Sequence, residues 1–314
     1  MAHAGAISIR LAGAYRIQWL DRLVRDLEPL VTLTAPARVT VDLAGLVAVS
    51  PSALALVTAV LRKARADGMF DEGSVLVFPS SPPVRNYLMR MDLVRVVMPD
   101  AETTEPFVRN PPLGFRPCRE FVSAEECQAV ARDLTEALVE RCATDEVARA
   151  AIRICLDELA ENVVHHAASP LGGFAAAQGW PRSRQFEIAI VDVGVGIRRS
   201  LTNNPRYADI EEDVTAITTA LEPRVTATPE RNSGIGLFIT RLLLRDNGGV
   251  LVVRSGTGEV YSGAQEGARE TPIRFPGTLV ALRARTDRPL DIGAVYGRLE
   301  DDDDGDRGNG DQAG

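Results

Sequence analysis

The chain has 314 residues, 45% hydrophobic and 25% charged, with a formal net charge of -8. This balance is that of a folded globular protein with room for two domains, and it excludes collagenous and wholly disordered classes. Part of the negative charge is the terminal run Asp301 to Asp304, and no basic cluster stands out that would neutralise a phosphate backbone, so nucleic acid is not expected as a direct partner.

The longest apolar stretches, Leu43 to Val60 among them, are broken by Ser and Pro and fall short of a membrane span. The amino terminus lacks the basic start and apolar core of a signal peptide. Cys118, Cys127, Cys142 and Cys155 show no paired metal spacing, so a reducing cytoplasm is the expected compartment.

An α/β fold in two domains is expected. In residues 1–100, Ile7 to Leu11 alternates at period two, Tyr15 to Leu30 has helical spacing, and Val39 to Leu43 is a β-branched run. The spacing predicts a helix from Ser52 to Asp67, striped by Leu54, Val57 and Leu61 and stopped at Gly68. A strand from Ser74 to Phe78 and a helix from Pro83 to Met91 complete this first α/β block. Residues 101–117 are rich in Pro, Thr and Glu and read as a linker.

A second α/β domain is expected over 118–286. Two amphipathic helices, Ala124 to Cys142 and Asp145 to Ala168, precede strands at Phe186 to Val191, Val250 to Ser255 and Thr278 to Arg285. Residues 287–314 are expected to form an acidic, disordered tail.

Four segments of this second block carry chemistry. Glu158, Asn162 and His166 recur at i, i+4 and i+8 and share one helical face. An amide oxygen one turn after a carboxylate suits a Mg²⁺ shell beside phosphates, with the carboxylate orienting a hydroxyl for attack. Next, the run Ile188 to Val191 ends at Asp192, with Gly194 and Gly196 following. That arrangement lets backbone approach a planar ligand while the carboxylate accepts from an exocyclic amine. Third, Gly234 and Gly236 open an apolar helix from Leu237, where free backbone N–H groups favour an anion. Last, Gly277 precedes the final strand, which Thr278 begins. Taken singly, each has a plain structural reading as a solvated helix face, a strand-ending turn or a helix start.

In this order the four resemble the Bergerat-type, histidine-kinase-like (GHKL) ATPase fold, an α/β sandwich, over roughly residues 120 to 286. The resemblance implies ATP and Mg²⁺ as cofactors, Glu158 as catalytic base and Asn162 as the Mg²⁺ ligand. It implies an adenine contact at Asp192 supported by Thr278, a base pocket shaped by Gly194 and Gly196, and phosphate contacts at Gly234, Gly236 and Leu237. Residues 198–233 would form a mobile lid. Glu230 to Gly236 is similar to the lid end of anti-sigma-factor serine kinases, which makes Arg231 the candidate for the terminal phosphate, although Asn232 shifts its register.

The first block, through Val39 to Leu46, the helix from Ser52, the strand at Val75 and the helix from Val84, resembles a STAS domain, the mixed-sheet fold of anti-sigma-factor antagonists. In those antagonists that are phosphorylated, the acceptor is a serine where this chain has Pro51; Ser50 and Ser52 flank it, and Ser52 has the form of a helix N-cap. The three histidines, His3, His165 and His166, leave no acceptor on a preceding dimerisation helix, so a conventional autophosphorylating histidine kinase is not expected. The resemblances imply a serine-kinase-type regulator acting on a STAS-domain protein or a sigma factor. The alternative is a non-catalytic switch whose nucleotide occupancy controls domain docking or homodimer formation.

Overall fold

The computed structural model describes residues 4–97, 116, 118–142, 144–230, 233–264 and 266–299. The predicted linker lies outside these residues apart from Arg116. The amino-terminal block contains β1 (Ala4–Arg10), β2 (Gly13–Tyr15), α1 (Leu20–Asp26), α2 (Glu28–Val31), β3 (Ala37–Asp42), β4 (Leu46–Val49), α3 (Pro51–Ala66), β5 (Val75–Val77), α4 (Pro82–Arg90) and α5 (Leu93–Val97). Strands β1, β3 and β5 form one parallel sheet in that order, and β2 and β4 pair in a second. The helical spacing of Tyr15 to Leu30 is divided: Tyr15 ends β2, residues 17–19 make a 3-10 turn, and Pro29 in the first turn of α2 separates that helix from α1.

The second block contains β6 (Arg119–Phe121), α6 (Ala124–Cys142), α7 (Glu146–His166), β7 (Gly173–Trp180), β8 (Gln185–Asp192), α8 (Ile197–Leu201), α9 (Asp213–Ala220), α10 (Gly236–Asn247), β9 (Val250–Gly263), β10 (Gly267–Arg285) and a last helix, α11, over residues 292–299. Its strands form one antiparallel sheet in the order β6-β7-β8-β10-β9. Helix α7 starts where the Asp145 carboxylate accepts from the Ala148 amide, satisfying one of the free first-turn donors.

Three sequence expectations are corrected here. Strand β7 was not anticipated, because its Gly- and Ala-rich sequence lacks β-branched residues. Strand β10 begins at Gly267, so Thr278 lies inside a long hairpin with β9 rather than at a strand start. The tail does not begin at 287: Leu290 and Val295 are buried, and Ile292, Tyr296 and Leu299 pack against the same core.

Antiparallel sheets commonly leave one face to water. This one is covered on both. Ala175, Ala177, Ile188, Ile190, Val280 and Leu282 pack in a core with α6, α7 and α10. The alternate residues Phe174, Ala176, Ala189, Val191, Leu279 and Ala281 belong to a single core with the amino-terminal block, whose α3 lies on β7 and β8. The two blocks therefore share a core across this face of the sheet. Each large apolar side chain on that shared face contributes about 1.5–3 kcal/mol by burial.

Polar ties accompany the apolar ones. Arg254 of β9 is fully buried and donates to Asp21 of α1 (3.1 Å), to Glu259 (3.1 Å), to the Thr271 hydroxyl (2.9 Å) and to the Ile273 carbonyl (3.0 Å). Removing one member of a buried ionic set leaves the others uncompensated. Arg254→Ala is expected to lower the free energy of unfolding by about 3 kcal/mol or more, read as a shift of the urea midpoint of the full chain.

Candidate functional site

One cavity of about 320 Å³ opens on the α7 and α10 side of the sheet, within the range of small-ligand sites. Its floor includes Ile190 and Val280, which stand opposite each other across β8 and β10. Helix α7 contributes Glu158, Glu161, Asn162, His165 and His166 to one wall. The facing wall is Ile197, Ser200 and Leu201 from α8, Ala220 at the end of α9 and Val225 to Ala227 beyond it. Gly234, Gly236 and Leu237 bring the start of α10 to the rim, and Asp192, Gly196 and Thr278 meet at one end.

Of the residues singled out from sequence, Glu158, Asn162, Asp192, Gly196, Gly234, Gly236, Leu237 and Thr278 thus line one cavity. Gly194 does not line it. A side chain there would collide with the Ala167 carbonyl, so this glycine lets the turn after β8 close against the end of α7. The Val195 amide donates to the same carbonyl at 2.7 Å. Arg231 lies outside the described residues.

The cavity's charges are shaped by burial. Asp192 is 4% exposed, and its carboxylate accepts from the Gly194 amide at 2.8 Å. Burial pushes its pKa up to about 7 against the lowering effect of the Gly194 and Thr278 backbone donors. Burial also raises the pKa of Glu158, helped by the nearby carboxylates of Glu161 and Asp157. His166 is shifted down by burial and by His165. Among the described residues no side chain makes a capping bond to the first turn of α10, so the positive end of that helix's dipole opens on the rim. A methyl group on Gly236 would meet the Glu158 carboxylate, which places that carboxylate directly beside the helix start.

Sequence reasoning missed two supporting residues. Ser255 of β9, opposite Thr278 in the ladder, accepts from the Ile197 amide (2.8 Å) and donates to the Gly277 carbonyl (3.0 Å), joining the turn after Asp192 to the turn before Thr278. Asp213 accepts from Arg198 (2.7 Å), Arg274 (2.9 Å) and the Thr257 amide (3.0 Å), and these donors hold its pKa below the usual carboxylate value even though burial works against them. With Ala216, Ile217 and Leu221 buried, Asp213 fixes α9 to the β9–β10 hairpin. Within the expected lid over 198–233, α8 and α9 are packed along the cavity wall. No periodicity marks either residue, since each meets its partners only through the fold.

Among the described residues, no helix is long and apolar enough to cross a membrane. No known family model matches this chain, and no curated protein matches it.

The two close-packed glycines separate stability from site geometry. Gly194→Ala forces backbone apart and is expected to cost about 1–3 kcal/mol. Gly236→Ala meets the Glu158 carboxylate and also that residue's Cβ at 2.8 Å, with no backbone atom of α7 among its nearest contacts, and is expected to cost less than Gly194→Ala, about 1 kcal/mol, while displacing Glu158. Urea unfolding of both variants checks the ordering.

Proposed function

We propose that this chain binds ATP with Mg²⁺ and works as a regulator of the anti-sigma-factor serine kinase type, acting on a STAS-domain protein or sigma-factor complex. One observation carries the reading. A carboxylate–amide pair on α7, a buried strand-end carboxylate and an uncapped helix start, far apart in sequence, converge on one cavity of ligand size.

The donor set fits an adenine nucleotide. Asp192 has acceptor capacity beyond its Gly194 and Thr278 backbone donors and takes a hydrogen bond from the exocyclic amine of the base. Ile190, Ile197, Leu201 and Val280 supply apolar walls for the ring. The first-turn amides of α10 receive phosphate oxygens. The Asn162 amide oxygen would be the residue that holds Mg²⁺ beside the phosphates. A Mg²⁺ held there would supply charge neutralisation to the phosphates. Glu158 takes the proton of a partner's serine hydroxyl as that oxygen attacks the terminal phosphorus and ADP leaves, and its raised pKa brings it nearer to a working base at neutral pH.

A second reading has an observation of its own. Ser50 and Ser52 are buried, and the amino-terminal block shares its core with the sheet. These features favour a scaffold, with nucleotide occupancy switching docking or dimerisation without transfer.

Two measurements test the proposal. The base amine prefers ionised Asp192, so MgADP affinity measured by calorimetry is expected to be flat above about pH 8 and to fall roughly tenfold per unit below about pH 6. Protonation of His166 would favour phosphate and act with the opposite sign. Asp192→Asn separates the two: it is expected to weaken binding roughly 10- to 100-fold and to remove the acid-side fall. Undetectable MgADP binding by the wild-type chain at pH 8 would sink the nucleotide reading. With labelled ATP and candidate STAS partners, transfer is expected from wild type and is lost in Glu158→Ala. Tight binding with no transfer to any STAS partner selects the scaffold reading.

A further inference from the structure

The start of α3 rests on a carboxylate from the other block. Ser50 is the N-cap by position, but its side chain makes no capping bond, and Ser52 is the second helical residue rather than the cap expected from sequence. The Ser52 amide and hydroxyl both donate to Oε1 of Glu187, at 3.0 and 2.6 Å, and the Ser50 hydroxyl lies 2.9 Å from that of Ser52. Glu187 projects from β8 on the face opposite the cavity. Its other oxygen accepts from Arg283 of β10 at 2.6 and 3.2 Å, and the two residues stand directly opposite in the ladder. Glu187 and Ser52 are completely buried and Ser50 is 5% exposed.

Within this cluster the charges balance. The carboxylate is met by one guanidinium, by the dipole end of a 16-residue helix and by two Ser52 donors. A second anion on the same turn would stand within hydrogen-bond distance of Glu187, away from water. Arg283 would offset one negative charge and leave the other unpaired, which a buried site does not tolerate without protonation or separation.

We propose that this face of the sheet is a docking surface keyed to an uncharged, hydroxyl-bearing first turn of α3. Glu187 supplies the single anion that turn accepts, so docking of the amino-terminal block and a negative charge on Ser50 or Ser52 exclude each other. Two consequences follow. While docked, the Ser50 and Ser52 hydroxyls are closed to any phosphoryl-transfer enzyme, including the chain's own cavity on the far face. Any modification that placed an anion there would hold the block off the sheet.

The test uses the full chain and no nucleotide, so it stands or fails separately from the ATP reading. Asp and Asn have nearly the same shape, so Ser52→Asp and Ser52→Asn separate charge from size. Hydrogen exchange is followed by mass spectrometry in α3, β7 and β8 at pH 7.5. Ser52→Asn is expected to keep wild-type protection to within a few-fold. Ser52→Asp is expected to exchange roughly tenfold faster or more in all three elements. Adding Glu187→Gln to Ser52→Asp is expected to restore most of the protection, because one anion then remains. Equal behaviour of the Asp and Asn variants would overturn the proposal. So would a Ser52→Asp, Glu187→Gln chain no better protected, or no better folded, than Ser52→Asp alone.

Discussion

Strands β8 and β10 are buried on both sides, and the period of two along them divides the molecule's work. On β8, Ile188 and Ile190 face α7 and α10, while Glu187, Ala189 and Val191 face α3. On β10, Val280 and Leu282 take the first side and Leu279, Ala281 and Arg283 the second. A slip of one residue would exchange cavity floor for docking face throughout. The register from Leu279 opposite Val191 to Arg285 opposite Gln185 therefore positions both the cavity and the amino-terminal block.

Burial on both faces also explains the composition of β7. A sheet pressed between two helical layers has little room, and Ala175, Ala176 and Ala177 let α3 approach on one side and α6 on the other. Those residues carry little intrinsic strand preference, so β7 was illegible in the sequence. The long helices were legible because their apolar stripes and the Asp145 cap are local signals. The 3.6-residue spacing of Ile292, Tyr296 and Leu299 was equally local, but it stood beside an acidic run whose composition outweighed it. That Glu158, Asn162, Asp192 and the glycines belong to one site was implied by the resemblance of the four segments in order, not by the spacing of any one of them. Ser255, Asp213 and Glu187 could not be read that way. Each is one polar residue in an ordinary strand or helix start until the fold brings its donors within about 3 Å.

The buried charges bear on how the two blocks stay joined. Apolar contact between α3 and the sheet supplies most of the adhesion but little of its specificity, because Ala and Val surfaces tolerate sliding. Glu187 at the head of α3 and Arg254 against Asp21 are directional contacts with high costs when misplaced. They fix α3 along its axis and α1 against the β9–β10 hairpin. Register and charge thus carry the specificity, and apolar area carries the stability.

This arrangement constrains any transfer chemistry at the cavity. Glu158 lies above one face of the sheet, while Ser50 and Ser52 are sealed against the other. A sheet with a packed layer on each side puts on the order of 10 Å between adjoining layers, far beyond the contact that general-base catalysis needs. No side-chain rotation brings those hydroxyls to Glu158; only undocking of the whole amino-terminal block would. That would expose Phe174, Val191, Leu279 and their neighbours to water. On the proposed kinase reading, an acceptor hydroxyl would have to approach from outside the docked chain, past the rim formed by α10 and the segment that follows α9. On that reading the docked amino-terminal block covers the sheet, and selectivity for a partner would rest with the rim.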